Sequence, residues 1–149
     1  MKICHSLLAA VLLVALVASG QDCKTDTSYS FKEVKGSVHR VTTSRMYTGG
    51  DEKTLVRSGD LVSVAILQTL NDSEMTSPET LEFVLWILRE AFACPNRCVS
   101  VAGDRQPRVA LLLLEHLHNK TRGKMQSSID ETTKFILDQA RAAETANSQ

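Results

Sequence analysis

Aromatic residues are scarce in this sequence. They make up 5% of its 149 positions, with one tryptophan and four phenylalanines. A surface that stacks nucleic-acid bases needs more of them, and it is basic as well. Here 17 lysines and arginines meet 17 aspartates and glutamates, for a net charge of zero. Neither term favours a nucleic-acid partner. The motifs of catalysis are scarce too: there is no glycine-rich phosphate loop, no Gly-x-Ser-x-Gly turn and no His-Glu-x-x-His pair. One Glu-x-x-His occurs, from Glu115 to His118, whereas a di-iron bundle needs two such pairs and two further inward glutamates. His116 and His118 stand two apart, on different helix faces. A cation near a helix C-terminus is favoured by the dipole, which accounts for their place more simply. The expectation is a non-enzymatic protein with no catalytic residue, no cofactor and no metal.

Long apolar runs are missing after the first twenty residues. The opening run, Leu7 to Val17, follows Lys2 and precedes the small residues Ala18-Ser19-Gly20. That is the layout of a secretory signal peptide cut before Gln21. It is too short to span a bilayer, which takes about 20 apolar residues. The expected organisation is a signal peptide over 1–20, an N-terminal arm over 21–50 and a helical domain over 51–146, with no membrane span. Lys2 leaves with the leader and no acid does, so 16 cations would face 17 anions and the mature charge would be −1.

An exported chain meets an oxidising compartment, where thiols pair. Of four cysteines, Cys4 leaves with the leader and Cys23, Cys94 and Cys98 remain. Cys94 and Cys98 have three residues between them, not the two of a redox Cys-x-x-Cys, and no zinc spacing is present. They read as a disulfide staple, either to each other or with one of them reaching Cys23. Three is odd, so one thiol stays free, is capped or pairs with a second chain, which leaves a covalent homodimer open. Asn71-Asp72-Ser73 and Asn119-Lys120-Thr121 fit the N-glycosylation pattern, and both fall where helices are expected to end.

Four segments carry helical periodicity. The first, Asp51 to Leu70, has Asp51 as its expected N-cap and either holds Gly59 in its interior or breaks at Ser58-Gly59-Asp60 and restarts from Asp60. The second follows Thr76-Ser77-Pro78-Glu79, with Leu81, Val84, Leu85, Leu88 and Phe92 as its stripe. Phe83, Trp86 and Ile87 fill the rest of its circumference, so the helix should be central and Trp86 largely buried. The third starts near Asp104 and runs to His118, with Ala110, Leu113, Leu114 and Leu117 on one face. The fourth starts at Ser127 or Ser128, the latter opening a capping box with Glu131, and frays from Ala143. Gln21 to Gly50 shows no clear period and reads as an irregular arm. The expected fold is all-α, a small up-and-down bundle of about four helices; two stacked helical hairpins of armadillo-like build are the alternative.

Two functions fit this frame. One is non-catalytic recognition of an extracellular protein or receptor by a secreted glycoprotein. The alternative is a carrier of a small apolar ligand or lipid, with Phe83, Trp86 and Ile87 lining its cavity. Lys120, Arg122 and Lys124 form a small basic cluster, read as helix C-terminal charge on a solvated turn.

Overall fold

The computed structural model describes residues 29–44, 47–93 and 107–147. These are helical, with no strand among them. The helices are α1 (Phe31–Ser44), α2 (Gly49–Arg57), α3 (Leu61–Thr69), α4 (Asp72–Met75), α5 (Pro78–Phe92), α6 (Arg108–Lys120) and α7 (Lys124–Asn147). The all-α expectation holds. Among the described residues the count of about four does not, because the expected first helix is split, α1 lies within the expected arm and α4 is a short helix of its own.

That arm is corrected by α1. Ser30 and Glu33 form a reciprocal N-terminal cap: the Glu33 carboxylate accepts from the Ser30 amide at 2.7 Å and its hydroxyl at 2.8 Å, while the Glu33 amide donates to Ser30 Oγ at 3.3 Å. Val34 and Val38, one turn apart, are fully buried. Their burial, more than the helix propensity of this valine- and threonine-rich stretch, holds α1 in place.

The N-cap of α2 is Thr48, not Asp51. Thr48 Oγ1 accepts from the Asp51 amide at 3.2 Å and donates to Asp51 Oδ2 at 2.8 Å. The pair Gly49-Gly50 therefore lies in the first turn of the helix. The break at Ser58-Gly59-Asp60 is real: Gly59 takes a positive φ of 58°, which favours glycine. Asp60 then precedes α3 but does not cap it with its side chain. Its carboxylate instead accepts from Val109 N at 2.7 Å and Ala110 N at 2.8 Å, so it caps α6 from across the fold.

The apolar stripes fall where periodicity placed them. Leu81, Val84, Leu85, Leu88 and Phe92 of α5 are buried, as are Ala110, Leu113, Leu114 and Leu117 of α6. Pro78 opens α5 after Ser77, and Pro107 stands just ahead of α6 as its N-cap. The fourth expected helix, α7, begins a turn early, at Lys124, after a turn with Gly123 at φ 64°. The Ser128 hydroxyl donates to the Lys124 carbonyl inside the helix, so it opens no capping box, and the helix continues through Ala143 to Asn147.

Neighbouring helices close a ring: α1 packs on α3, α3 on α6, α6 on α7, α7 on α5, α5 on α2 and α2 on α1, with α3 also touching α5 across the middle. The core fills this ring, including Leu55, Val62, Ile66, Ile87, Ile129 and Ile136, each with no exposed surface. Asp60, before α3, meets the start of α6, and Asp72, after α3, meets its last turn. The pair α3 and α6 therefore runs parallel, with Asp60 and Asp72 fastening its two ends.

Candidate functional site

The face of α5 that turns away from the core carries the molecule's exposed aromatic cluster. A helix repeats every 3.6 residues, so Glu82, Phe83, Trp86 and Glu90 share one stripe while Ile87, a third of a turn on, points elsewhere. Ile87 is accordingly fully buried, Phe83 is half-buried and Trp86 is 37% exposed. This corrects the expectation of a buried tryptophan. Flanked by α2 and α7, the helix keeps one strip turned outward, and the indole lies on it. The structure therefore does not gather Phe83, Trp86 and Ile87 around one space.

It adds a residue the sequence did not single out. Tyr47, just ahead of α2, sets its ring edge-on to Trp86 at 5.6 Å and to Phe83 at 6.4 Å, and those two rings lie 6.0 Å apart. Edge-to-face pairs at these separations are favourable geometry for aromatic rings. Tyr47 is itself 41% exposed. Burial against its neighbours, with the carboxylates of Glu52 and Glu90 beside it, pushes the Tyr47 hydroxyl up to about 12. It stays protonated and donates to Glu52. Glu52, Glu82 and Glu90 are all exposed. No sequence period links Tyr47 to α5; only the packing of α2 on α5 brings it there.

A second polar cluster lies where α4 meets α6. Asp72 Oδ1 accepts from His116 Nε2 at 2.7 Å, and Asp72 Oδ2 lies 3.2 Å from Lys120 Nζ. These two bonds, the one from His116 first, hold the Asp72 carboxyl below its usual range. His118 points to the other side of α6, where its Nδ1 donates to Asp130 Oδ1 at 2.7 Å and its Nε2 lies 3.0 Å from Gln126 Nε2. Each histidine thus ties α6 to a different neighbour. Of the basic cluster, Lys120 pairs with Asp72, Arg122 donates to the Thr121 carbonyl at 2.9 Å and Lys124 is exposed. No group of three or more histidines, cysteines or acids that could hold a metal occurs among the described residues.

The same cluster brings the two sequon segments to one end of the molecule. Asn71 is the exposed N-cap of α4, its Oδ1 accepting from Glu74 N at 3.0 Å and Ser73 Oγ at 2.7 Å. These bonds use the amide oxygen; the nitrogen, where an N-glycan attaches, is not part of the cap. Asn119 is exposed in the last turn of α6, between the histidine of the Asp130 pair and the lysine of the Asp72 pair. Cys23, Cys94 and Cys98, and the expected signal peptide, lie outside the described residues.

Between α1 and α2 lies an open pocket of about 350 Å³, lined by Arg40, Ser44, Thr48, Gly50, Asp51 and Thr54. Its central feature is internal. Arg40 donates to the Asp51 carboxylate through Nε at 3.1 Å and Nη2 at 2.5 Å, and to Ser37 Oγ at 3.0 Å. Burial alone would raise the Asp51 carboxyl, but the hydrogen bonds of Arg40, Thr48 and Ser37 outweigh it and the carboxyl is lowered. The pair joins α1 to α2.

No helix of the described residues is long and apolar enough to cross a membrane. Comparison with protein-family models, curated proteins and solved structures found no match to this chain.

Proposed function

We propose that the chain is a secreted, N-glycosylated helical protein that recognises an extracellular protein partner without catalysing a reaction. The observation that carries this reading is the exposed aromatic cluster of Tyr47, Phe83 and Trp86. Tyrosine and tryptophan are the residues that contribute most to binding at protein interfaces, because they offer a large rigid apolar area with a polar handle. In a sequence with so few aromatics, three of them meet on one surface. In this reading the glycans stand on Asn71 and Asn119, at the end where α4 meets α6, and a disulfide involves the Cys94 and Cys98 pair, with Cys23 as the other candidate partner. Among the described residues the carrier reading draws less support, since the pocket between α1 and α2 is lined by polar side chains and Ile87 faces the core.

The test is expression of the full chain in a secretory host. Intact mass before and after glycosidase treatment reads the leader cut, glycans and disulfides. Fluorescent labelling of the purified product, applied to a panel of cell lines, reads partner binding. Saturable binding that Trp86→Ala removes is the expected result. An unprocessed chain retained in the cell, or binding indifferent to Trp86, sinks the proposal.

A further inference from the structure

The aromatic cluster has a charge pattern of its own. Glu82 and Glu90 lie four residues before and four after Trp86, so each sits one turn from the indole on the same face of α5. Glu52 approaches from α2 and accepts from Tyr47. The lone basic residue of α5 is Arg89, and it is committed elsewhere: its Nε donates to Thr132 Oγ1 at 2.8 Å and its Nη2 reaches the Ser128 carbonyl of α7 at 3.5 Å. The outer stripe of α5 therefore presents an electron-rich ring bracketed by carboxylates, with no cation of its own helix to neutralise them.

We infer that this surface docks a basic segment of a protein partner, with an arginine or lysine laid over the Trp86 ring between Glu82 and Glu90 and an apolar neighbour against Phe83 and Tyr47. This rests on the recognition reading above and names the chemistry of its partner. A cation over an indole face is drawn by the ring's quadrupole, and tryptophan is the best of the aromatic platforms for it. The flanking carboxylates add charge-assisted bonds, which suit the planar guanidinium best. The same charges repel phosphate and sulfate groups, so a nucleic acid, heparin or an anionic lipid surface fits poorly. The exposed setting of Trp86 and Tyr47 suits a segment lying across the helix more than a small cation, which is held best by enclosure on several sides.

Trp86 is the chain's one tryptophan, so its fluorescence reports on this surface alone. The full-length protein is titrated with an acetylated, amidated Arg-Leu-Arg-Leu-Arg peptide, with the same peptide carrying Glu for Arg, and with heparin. The expected result is a saturable change in Trp86 emission with the arginine peptide only, weakened by added salt. The double variant Glu82→Gln, Glu90→Gln keeps the ring and should raise the dissociation constant about fivefold, the scale of losing two exposed charge pairs. Glu131→Gln, an exposed acid on α7, should leave it unchanged. Tyr47→Ala keeps the reporter and should also weaken binding. No saturable change with the arginine peptide, an equal response to the glutamate peptide or to heparin, or an affinity indifferent to the double variant overturns the inference. Cell binding separates the two proposals. Trp86-dependent cell binding without peptide binding overturns the basic partner and leaves recognition standing. Peptide binding without any cell binding supports the surface chemistry and removes the extracellular reading.

Discussion

The neighbouring segments α5 and α6 solve one problem in two ways. Each buries an apolar stripe, from Leu81 to Phe92 in α5 and from Ala110 to Leu117 in α6. Beyond that stripe they diverge. The two ends of α6 are fastened by carboxylates from other segments, Asp60 at its start and Asp72 at its last turn, with His118 tied to α7 besides. Three of its polar side chains, His116, His118 and Lys120, are spent on holding the bundle. The exposed face of α5 is left out of such ties: Glu82, Phe83, Trp86 and Glu90 look outward, met by Tyr47 and Glu52 from the segment beside them. Side chains that the fold does not consume are where recognition is sought, and large exposed aromatics are the costliest to leave in water.

The comparison can be broken first at the buried stripe of α5. Leu88 has no exposed surface. Leu88→Ala should cost about 2–5 kcal/mol, the range for a leucine truncated in a packed core. Urea unfolding followed by circular dichroism measures it. A loss under about 1 kcal/mol would mean that this side of α5 is not core, and the division between its faces would fall.

The next effect belongs to the start of α6. The Asp60 carboxylate satisfies two amides that have no partner within their own helix. Asp60→Ala removes both bonds and should cost about 1–2 kcal/mol. Asp60→Asn keeps an acceptor and should cost less. Equal losses in the two variants would show that the charge, not the bonding, fastens the helix start.

What was legible follows the same division. Periodicity found the inner stripes of α5 and α6, because an apolar face must recur every three or four residues wherever the helix packs. It does not show which of the remaining apolar residues stay outside, so the apolar character of its neighbours points Trp86 to the core while the structure leaves it 37% exposed. Tyr47 and Trp86 are 39 positions apart, and only tertiary packing joins them. The α1 helix is hard to read from the sequence for another reason. Its Ser30-Phe31-Lys32-Glu33 start is a readable cap, but the run Val41-Thr42-Thr43 has the composition of extended chain, and packing on α3 overrides it. The role of Asp60 is half-legible: a break before α3 is one of the two readings that Gly59 allows, and the helix that the Asp60 side chain caps is not readable from the sequence.

Trp86→Ala sharpens the comparison from the outer side. A fully buried tryptophan would cost about 3–5 kcal/mol on truncation. At 37% exposure and with two aromatic neighbours, the expected loss is about 1–2 kcal/mol, well below that of Leu88→Ala. The ratio of the two losses, measured in the same urea series, is the figure that matters. Equal losses would move Trp86 back among the residues that hold the fold and deprive the surface of its argument.

The smallest effect lies at the far end of α6 and is read by pH. Asp72 is hydrogen-bonded to His116 and paired with Lys120, so its folded carboxyl is held below the ordinary value of 3.8. A carboxyl lowered on folding binds fewer protons in the folded chain than in the unfolded one. Its stabilisation is therefore fully present above 3.8 and fades as the pH falls through the lowered folded value. Other acids titrate in the same window, so the useful quantity is the difference in urea midpoint between wild type and Asp72→Asn at each pH. That difference should be small at neutral pH, because all three side chains are exposed and water and salt screen them. It should shrink as the pH falls below 3.8, and on raising the salt. A difference that grows as the pH falls below 3.8 would mean that Asp72 is harder to ionise in the folded chain than in the unfolded one. The end of α6 would then be held by something other than this carboxylate, and its contrast with the unfastened face of α5 would lose one of its two anchors.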